Sequence, residues 1–362
     1  MALPQNAISL YETETLLPLL NEQFAPTTFF RDNFFRNSIP ITTGKIQLDL
    51  IKGTRRILPY SRPINKATQI EFGGWDTWSG EIPYIKAKFA EEPDKYENRM
   101  PGQNPYAAAS PAVQAAQWRA EKSQEVLDML TRTEEVQCAQ GLTTGIVTLK
   151  NENNTQIQQV NFGLPADHNI IESVLWTNTT AFNAVIDQLR AYKAKISHDS
   201  GIQPTDVVVP PNVATILRHV FSPDKADNAG SALAGTGSAA IIWAPRIEIA
   251  DRPPAEHVSY FCTIPSLNLD VYEYSGIYQD YDGTEKPFIP AGKIVMLSRY
   301  ARFDRYYGVI KNWRAGLVAL PRFPFEWEEP DGSARYFQIE SAPLFAPHQV
   351  DSFIVSQVAA AA

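Results

Sequence analysis

This sequence has few cysteines and no excess of basic residues. Its 362 residues include only two cysteines, Cys138 and Cys262, which are too few and too far apart for a disulfide framework or a zinc site. The formal net charge is −8, whereas a dedicated nucleic-acid-binding protein needs a strong basic footprint to neutralise phosphates. We therefore expect free thiols in a reducing compartment and no sequence-specific binding of nucleic acid.

Long apolar runs and targeting signals are also missing. No run reaches the roughly 18 apolar residues that would suggest a membrane span, and no secretory signal pattern opens the chain. The sequence therefore predicts no membrane association. With 44% apolar and 11% aromatic residues, the chain can nevertheless build a core, and its length predicts two or more packed regions.

Catalytic motifs are absent as well. The sequence has neither a Gly-x-Ser-x-Gly elbow nor a His-Glu-x-x-His motif. Its histidines have no metal-ligand spacing between them, so each is expected at the surface or in a loop. We predict no catalytic residue, no cofactor and no metal site, and hence no enzyme. The histidines are His168, His198, His219, His257 and His348.

The most metal-like string is Asp280-Tyr-Asp-Gly-Thr-Glu285. Carboxylates on alternate residues beside a glycine can wrap calcium, but the third ligand and the distal glutamate of an EF-hand loop are missing. Asp-Gly between strands is also a strong signal for the turn of a hairpin. The turn is the favoured interpretation, and calcium binding is the alternative.

The first ninety residues have an extended pattern. Residues 1 to 40 are predicted to form an extended arm with one short amphipathic piece, because prolines interrupt their leucine cluster too closely for a long helix. In Lys45–Ile51 polar and apolar residues alternate, Lys52-Gly-Thr54 favours a turn, and Arg56–Tyr60 resumes the alternation. Residues 41 to 90 are therefore predicted to form a long two-stranded ribbon, which needs a supporting surface because such a ribbon is marginal in water alone.

A long helix follows the ribbon. Ser110 can cap it, Pro111 suits its first position, and nothing breaks the helical pattern from there to Gly141. A helix of about thirty residues spans roughly 45 Å, more than twice the length of an average helix in a globular protein. A helix of this length between two β-rich parts is typical of a strut.

The rest of the chain mixes helices and strands. Ile146–Lys150 and Gln156–Phe162 predict a hairpin. Asp206–Val209 has the pattern of a buried strand, and Pro211 favours the start of a helix. The last fifty residues favour β structure, with Glu326–Gly332 as the tip of a hairpin.

Two distant segments carry a family resemblance. Phe34–Lys45 and Phe337–Leu344, the latter leading into Asp351–Val358, are similar to the opening and closing signatures of the lambda-type major capsid proteins of tailed phages, the major capsid protein E family. Between them, Tyr60-Ser-Arg-Pro63 and Phe288–Lys293 follow in the family's order. The resemblance covers most of the chain, and no single string carries it alone.

The resemblance implies an α+β fold of the Hong Kong 97 capsid type. Such a fold has an N-terminal arm, an extended β loop called the E-loop, a peripheral domain with a long spine helix, and an axial domain around the capsomer centre. Carried over by position, the regions are the arm at 1–40, the E-loop at 41–90, the first part of the peripheral domain at 91–165 with the spine helix at 111–141, the axial domain at 166–310, the second part of the peripheral domain at 311–345, and a C-terminal strand within 346–362.

The resemblance also implies a function. Members of the family form hexamers and pentamers that close into an icosahedral head around double-stranded DNA. Portal, scaffold and decoration proteins would be the other partners, with assembly in the host cytoplasm and the virion as the final location. The alternative is an encapsulin-like shell subunit of the same fold that encloses protein cargo. A more remote alternative is a β-rich hydrolase.

Interfaces between subunits would carry this function. Residues 44 to 90 contain eight basic and four acidic side chains, a formal charge of +4 against −12 for the rest of the chain. Their two tryptophans could form a ligand platform, but anchors pressed on a partner surface are the commoner use in β structure. We therefore predict interface roles for two arginines and two tryptophans of the E-loop and for four acids at the hairpin tip. These residues are Arg55, Arg56, Trp75, Trp78, Glu326, Glu328, Glu329 and Asp331.

Covalent cross-links between subunits are not expected. Some members of this fold join an E-loop lysine to an asparagine of a neighbour's peripheral domain, with help from a glutamate. Here Lys52 and Lys66 could supply the lysine, but Asn312 is the last asparagine, and the strands from Trp313 onward contain none. Alternative acceptors in a different position are the asparagines of the other peripheral hairpin, Asn151, Asn153, Asn154 and Asn161. The sequence therefore predicts a shell held together by non-covalent contacts.

Overall fold

The computed structural model describes residues 26–51, 75–92, 111–151, 153–221, 257–330, 332 and 334–360. Within them the chain forms the α-helices α1 (Phe29–Asn33), α2 (Pro111–Thr144), α3 (Phe182–Ser200) and α4 (Pro211–Val220). The strands are β1 (Asn37–Pro40), β2 (Lys45–Ile51), β3 (Trp75–Glu81), β4 (Ile85–Glu91), β5 (Ile146–Lys150), β6 (Gln156–Asn161), β7 (Asn169–Ile171), β8 (Asp206–Val209), β9 (Val258–Ile264), β10 (Leu269–Tyr274), β11 (Ile277–Gln279), β12 (Glu285–Pro287), β13 (Lys293–Leu297), β14 (Phe303–Tyr307), β15 (Phe323–Glu328), β16 (Arg335–Ser341), β17 (Pro343–Pro347) and β18 (Ile354–Gln357).

The chain divides into two compact units. Unit 1 comprises the described residues of Lys86–Met129 and Pro324–Ile339, and unit 2 comprises those of Pro26–Ile85, Leu130–Phe323 and Glu340–Ala362. Helix α2 contributes residues to both. The domain boundaries that the family resemblance implies are finer than this division and stay predictions.

Helix α2 begins at Pro111, as predicted, and continues to Thr144, beyond the predicted end at Gly141. Proline at the start loses no helical hydrogen bond, because the first N–H groups of a helix have no partner within it. The helix ends before Gly145, whose φ of 71° lies in the left-handed region. A Cβ at this position would lie 2.5 Å from Leu164, so glycine is required there. Among the described residues, neither α2 nor another helix is long and apolar enough to cross a membrane.

A six-stranded sheet, called here the central sheet, lies in unit 2. Its strand order is β7-β18-β13-β8-β10-β9. Strand β8 lies between β13, which runs antiparallel to it, and β10, which runs parallel. All four residues of Asp206–Val209 are buried, as the sequence predicted. A strand covered on both faces has a continuous apolar run instead of an alternating one.

The strand near the C-terminus belongs to the central sheet. The family resemblance placed a C-terminal strand within 346–362 without indicating its neighbours, and the observed strand is Ile354–Gln357. It pairs in parallel with β7 and antiparallel with β13. These pairings tie the end of the chain to residues that follow α2 in the sequence.

Helices α3 and α4 cover one face of the central sheet. Side chains alternate between the two faces along a strand, and on this face Val207, Val209, Ile294 and Met296 are buried with apolar side chains of both helices. Helix α4 begins at Pro211, as predicted. Each such side chain stabilises the fold by about 1.5–3 kcal/mol when fully buried.

An aromatic cluster covers the opposite face. The intervening residues Val208, Val295 and Leu297 are buried within it, together with residues of the C-terminal part of α2. Phe30 meets Tyr274 edge-on with ring centroids 5.3 Å apart, a geometry that adds about 0.5–1.5 kcal/mol to simple burial. The phenylalanines that the cluster takes from the start of the chain are Phe29, Phe30, Phe34 and Phe35.

Residues 26–40 differ from the extended arm that the sequence predicts for 1 to 40. Phe29–Asn33 is helical, and Asn37–Pro40 pairs in parallel with β14. The four phenylalanines explain the difference, because each would cost about 1.5–3 kcal/mol if it were left in water. Residues 1–25 lie outside the described part of the chain.

A buried carboxylate fixes α1 in place. A helix of five residues is not stable alone, and Thr28 at its N-cap makes no side-chain capping bond. Instead, the backbone N–H groups of Phe30 and Arg31 donate to the two carboxylate oxygens of Glu135 on α2, at 2.8 and 3.0 Å. The hydroxyl of Tyr274 donates to the same carboxylate at 3.1 Å. Glu135 thus supplies the missing cap from more than one hundred positions away.

The neighbouring Glu134 is the centre of a group of ion pairs. Arg31 and Arg322 lie 3.3 and 3.1 Å from its carboxylate, and Arg322 also donates to the hydroxyl of Thr131 at 2.8 Å. Burial raises the pKa of Glu134 even though both guanidinium groups oppose this rise. Removing one partner of a buried pair costs about 3–5 kcal/mol, so these contacts hold α1 and the segment before β15 on α2.

The remaining strands form smaller sheets, among them β1-β14-β17, β15-β16-β4 and the pairs β5-β6 and β2-β3. The hairpin predicted at Ile146–Lys150 and Gln156–Phe162 is confirmed. In the predicted ribbon, Lys45–Ile51 pairs with Trp75–Glu81, whereas Arg56–Tyr60 lies outside the described residues. An alternating pattern indicates that a strand exists, but it does not specify the partner when both candidates alternate.

The pH dependence of stability tests the environment of Glu135. Burial raises the pKa of Glu135 to about 7, whereas an unperturbed glutamate titrates near about 4.3. The folded chain therefore holds a proton that the unfolded chain has lost, and the stability contributed by Glu135 falls as pH rises through this window. We predict that the difference in free energy of unfolding between wild type and Glu135→Gln decreases by up to about 3 kcal/mol between these two pKa values.

Urea unfolding of the free chain at a series of pH values measures this difference. Glu125→Gln on the partly exposed surface of the same helix is the matched control and should give a difference that changes little with pH. A Glu135→Gln difference that stays constant from pH 4 to pH 8 would show that the carboxylate is ionised throughout, contrary to this account.

Candidate subunit interface

The predicted acidic tip is a hairpin. Strands β15 and β16 are joined by a turn in which the N–H of Gly332 donates to the carbonyl of Glu329 at 2.9 Å. Gly332 has a φ of 74°, a conformation that favours glycine. The hairpin prediction is confirmed, with Glu326 and Glu328 inside β15. Asp331 lies outside the described residues.

Arginines of the same unit already neutralise part of this acidic surface. Two guanidinium nitrogens of Arg335 donate to Glu328, and Arg119 on α2 lies 3.7 Å from Glu326. The side chains of Glu326 and Glu328 are still 45% and 59% exposed. Both carboxylates can therefore meet a further cation, although each already belongs to an ion pair within its own unit.

The other face of the hairpin is aromatic. Because successive residues of a strand point to opposite faces, Phe325 and Trp327 lie opposite to Glu326 and Glu328. Trp327 stacks between Phe325 and Tyr336 with ring centroids 5.3 and 5.1 Å apart. The hairpin therefore offers an acidic surface and an aromatic surface on its two faces.

Contacts with β4 and α2 hold the hairpin within unit 1. Phe337 stacks on Phe89 at 5.1 Å, and Phe89 meets Trp118 edge-on at 5.6 Å. Arg119 donates through two nitrogens to Glu91 at 2.8 and 3.2 Å. Stacked rings and a forked ion pair fix the strands relative to the helix, so the hairpin surface is held in one geometry.

The E-loop candidates are only partly within the described residues. Arg55 and Arg56 lie outside them. Trp75 and Trp78 belong to β3, where each lies opposite a residue of β2 in the antiparallel ribbon. Positions three apart in a strand lie on opposite faces, so these two residues occupy different faces of the ribbon.

The closing signature contains a buried carboxylate that the sequence reasoning missed. Glu340 accepts hydrogen bonds from the hydroxyl of Tyr84 and from Nδ2 of Asn312, the latter at 3.1 Å, and it is almost fully buried. Beside it, Ser341 donates to the carbonyl of Pro321 at 2.7 Å. These bonds attach the loop after β14 to the end of β16. The available signal for such a role was a glutamate directly after Ile339 within the closing signature.

His168 is not where the sequence predicts. All five histidines were expected at the surface or in loops, but His168 is only 1% exposed. Its Nδ1 lies 2.8 Å from the carbonyl oxygen of Phe353, and its Nε2 lies 3.0 Å from the carboxylate of Asp199. Because both ring nitrogens have partners, burial of this polar ring is compensated. The ring thereby links the segment before β7 to α3 and to the residue before β18.

His168 also belongs to a group of side chains close enough to share a metal ion. Among the described residues, Asp167, His168 and Asp199 each place one ligand atom within 4.8 Å of the others. The ammonium group of Lys195 lies 2.6 and 3.1 Å from the two aspartates, and hydrogen bonds from His198 and His168 lower the pKa of Asp199. The ammonium group of Lys195 and the ring nitrogens of the two histidines already contact these carboxylates, which favours a structural network of hydrogen bonds and ion pairs.

The calcium-like string is a turn. Strands β11 and β12 pair antiparallel, and the N–H of Gly283 donates to the carbonyl of Asp280 at 2.9 Å. The carboxylate of Asp280 forms ion pairs with Lys286 and with Lys150, the latter at 3.1 Å. The turn interpretation is confirmed. The carboxylate of Asp280, which calcium would need as a ligand, is instead paired with two lysine ammonium groups.

The sequence model of the family described as "Phage major capsid protein E" matches residues 12–358. The chain belongs to the phage major capsid protein E family. The major capsid protein of Escherichia phage lambda is 27% identical over 356 residues, which are 97% of this chain and 100% of that protein. The major capsid protein of Escherichia phage N15 is 25% identical with the same coverage. The family resemblance seen in the sequence is confirmed.

Solved capsid structures share the fold of this E-family member. The crystal structure of the putative capsid protein of a prophage of E. coli CFT073 matches with a TM-score of 0.65 and 20% identity, covering 93% of this chain and 94% of that chain. The capsid structure of the Cyanophage P-SCSP1u matches with a TM-score of 0.54 and 9% identity, covering 98% and 94%. The α+β fold of the Hong Kong 97 capsid type is thereby confirmed.

Membership of the E family defines the role of the chain in coarse terms. It is a phage major capsid protein, a structural subunit that forms the icosahedral shell of the virion with other copies of itself. The surfaces described above are therefore candidate contacts between copies of one chain. Such contacts depend on how rigidly each surface is held by the fold beneath it.

A double-mutant cycle tests how Glu340 holds its loop. Burial and the bond to Glu340 raise the pKa of the Tyr84 hydroxyl, so the tyrosine is a neutral donor at ordinary pH. We predict that Tyr84→Phe and Glu340→Gln each lower the free energy of unfolding by about 1–3 kcal/mol. Their effects should not add, and the coupling energy should be about 0.5–3 kcal/mol.

The control is the exposed pair Gln124→Ala and Asp128→Asn on α2, whose amide nitrogen and carboxylate oxygen are 2.7 Å apart. Its effects should be close to additive, because water replaces an exposed bond at little cost. Urea unfolding of the four variants and both double variants gives the two coupling energies. Strict additivity at Tyr84 and Glu340 would contradict the role given to this buried carboxylate.

Proposed function

We propose that this chain forms hexamers and pentamers that close into the head of a tailed bacteriophage around its double-stranded DNA. The match of the E family to residues 12–358 carries the proposal. The net charge of −8 agrees with it, because a container wall does not need the basic footprint of a dedicated DNA-binding protein. Portal, scaffold and decoration proteins would be partners, and assembly would take place in the host cytoplasm.

Nuclease treatment of purified mature particles tests the enclosed cargo. The proposal predicts double-stranded DNA that resists external nuclease and becomes sensitive only when the shell is disrupted. The alternative is an encapsulin-like shell subunit of the same fold. Particles that enclose protein and no nucleic acid would favour that alternative.

The regions implied by the family would divide the work of the shell. The central sheet with α3 and α4 would form the axial domain at 166–310, completed by β18 from the C-terminal region. Helix α2 and the β15–β16 hairpin would form the peripheral domain. The observed burial of both faces of the central sheet supports this assignment, because a domain at a capsomer centre needs a rigid core.

The β2–β3 ribbon would lie over a neighbouring subunit as the E-loop. A two-stranded ribbon is marginal in water alone, and apolar surface gains about 25 cal/mol for each Å² removed from water. Since Trp75 and Trp78 occupy opposite faces, only one of them would anchor the ribbon on the neighbour beneath it. The other would meet a different surface.

Charge complementarity would help to seat the ribbon. Arg55 and Arg56 belong to a segment of formal charge +4, and the hairpin of an adjacent subunit would offer the exposed sides of Glu326 and Glu328, with Glu329 and Asp331 beside them. Each exposed pair contributes only about 0.2–1 kcal/mol. Repetition of the contact around a closed shell multiplies this small contribution.

Charge reversal tests the seating of the ribbon. We predict that Arg55→Glu combined with Arg56→Glu leaves the free subunit folded but reduces the yield of shells. The two introduced glutamates would be repelled by the four acidic residues of the neighbouring hairpin. Arg190→Glu combined with Lys122→Glu is the control, since both side chains are at least partly exposed and each forms an ion pair with a carboxylate one helical turn away. Normal shells with normal salt resistance from the Arg55 and Arg56 variant would contradict the proposal.

Detergent gels test the absence of covalent links. Mature particles boiled in detergent should release this protein as one band near 40.4 kDa, because no asparagine follows Asn312. Asn312 lies beside a glutamate, because its side chain donates a hydrogen bond to Glu340. It is therefore the candidate acceptor asparagine to remove. A ladder of covalent multimers that disappears in Lys52→Ala, Lys66→Ala or Asn312→Ala would contradict the prediction.

A further inference from the structure

The loop of residues 311–318, called here the Trp313 loop, exposes apolar side chains at one place in unit 2. Trp313 is 87% exposed, the largest exposed fraction among the large apolar residues described, and Leu317 and Val318 are about half exposed. Single exposed apolar residues are common on protein surfaces, but an aromatic side chain and two aliphatic ones within six positions concentrate exposed apolar surface in one loop.

The base of the loop is closed by backbone contacts. Val309 and Ala319 form an antiparallel bridge, and the N–H of Ile310 donates to the carbonyl of Val318 at 3.1 Å. The exposed residues therefore lie between two chain segments that are fixed to each other.

The apex of the loop is held as firmly as its base. Oδ1 of Asn312 accepts the N–H of Arg314 at 3.0 Å and so caps a single turn of 3₁₀ helix, Trp313–Ala315. Nδ2 of Asn312 donates to the buried carboxylate of Glu340 at 3.1 Å, and the N–H of Lys311 donates to the hydroxyl of Tyr84 at 3.2 Å. The buried Glu340 thus holds the loop through both Asn312 and Tyr84.

The backbone after Trp313 adopts a conformation that presents the next side chains outward. Gly316 and Leu317 have φ of 68° and 56°. Glycine adopts the left-handed region freely, whereas leucine there is unusual and persists only where the surrounding structure determines it. Leu317 and Val318 emerge from this turn into solvent. The loop is therefore a preformed apolar projection and not a relaxed surface loop.

Charge and composition indicate which partner the loop fits. The loop contains two basic residues, Lys311 and Arg314, and no acidic one, while the whole chain is −8. A second copy of the chain is thus a partner of complementary charge. Tryptophan and arginine are enriched at the energetic centres of protein interfaces, and a tryptophan buries about 150–250 Å². A loop already in its bound geometry loses little conformational entropy when a partner covers it.

We propose that the Trp313 loop is a preformed contact between copies of this chain, with Trp313 as the anchor that a neighbouring copy buries in the shell. The inference rests on the proposed shell function and adds a surface outside the E-loop and the acidic hairpin. It assigns to Glu340 and Tyr84 the task of holding an interface loop from beneath.

Thiol labelling of Trp313→Cys tests the contact. The natural Cys138 and Cys262 are buried, and burial raises the pKa of both thiols, so an introduced surface thiol reacts selectively with a maleimide. We expect labelling at least tenfold slower in assembled shells than in the free subunit, with the fast rate restored when the shells are dissociated. Equal rates in shells and free subunits overturn the proposal.

Shells that contain this chain alone identify the occupant. Protection in such shells supports a second copy as the partner. Protection that appears only after another head protein is added overturns the proposal in favour of that protein. Shells that form normally but label at the free rate leave the shell function standing, whereas a wild-type chain that enters no shell contradicts both the function and the contact.

Assembly yield provides a second measurement that does not depend on labelling. Trp313→Ser should leave the thermal unfolding midpoint of the free subunit unchanged, because the side chain is exposed, and should lower the yield of shells at least severalfold. Trp313→Phe should restore most of the yield. Tyr300→Ser is the matched control, since Tyr300 is 81% exposed in a different turn. Equal loss of shells from Tyr300→Ser and Trp313→Ser overturns the assignment of Trp313 as the anchor.

Discussion

The carboxylate of Glu135 is the contact on which much of unit 2 depends. It caps α1 through the N–H groups of Phe30 and Arg31, and α1 in turn carries phenylalanines into the aromatic cluster beneath the central sheet. The strand that follows α1 then pairs with β14. Without this cap, the first N–H groups of a five-residue helix that is not stable alone would lose their acceptors, and the aromatic cluster would be weakened where α1 packs.

The central sheet is a rigid part of unit 2, because both of its faces are buried. The helices α3 and α4 cover one face and the aromatic cluster covers the other. Close-packed interiors transmit small displacements instead of absorbing them. For a capsid subunit this matters, because contacts repeated around a shell require every copy to present its surfaces in the same geometry.

Features that depend on neighbours in sequence could be predicted, and those that depend on distant residues could not. Pro211 marked the start of α4 and the acidic turn marked the β15–β16 hairpin, because helix starts and turns are decided within a few residues. The pairing of Lys45–Ile51 with Trp75–Glu81, the burial of His168 and the arginine partners of Glu326 and Glu328 were not predicted. Each of these is fixed by residues brought together only by the fold, which an isolated pattern does not encode.

Cryo-electron microscopy of purified particles tests the central claim most directly. The account predicts an icosahedral shell of hexamers and pentamers whose repeating density fits this chain, with the central sheet and α2 resolved in every copy. A shell built from a different protein, with this chain absent or attached only to its surface, would contradict the claim.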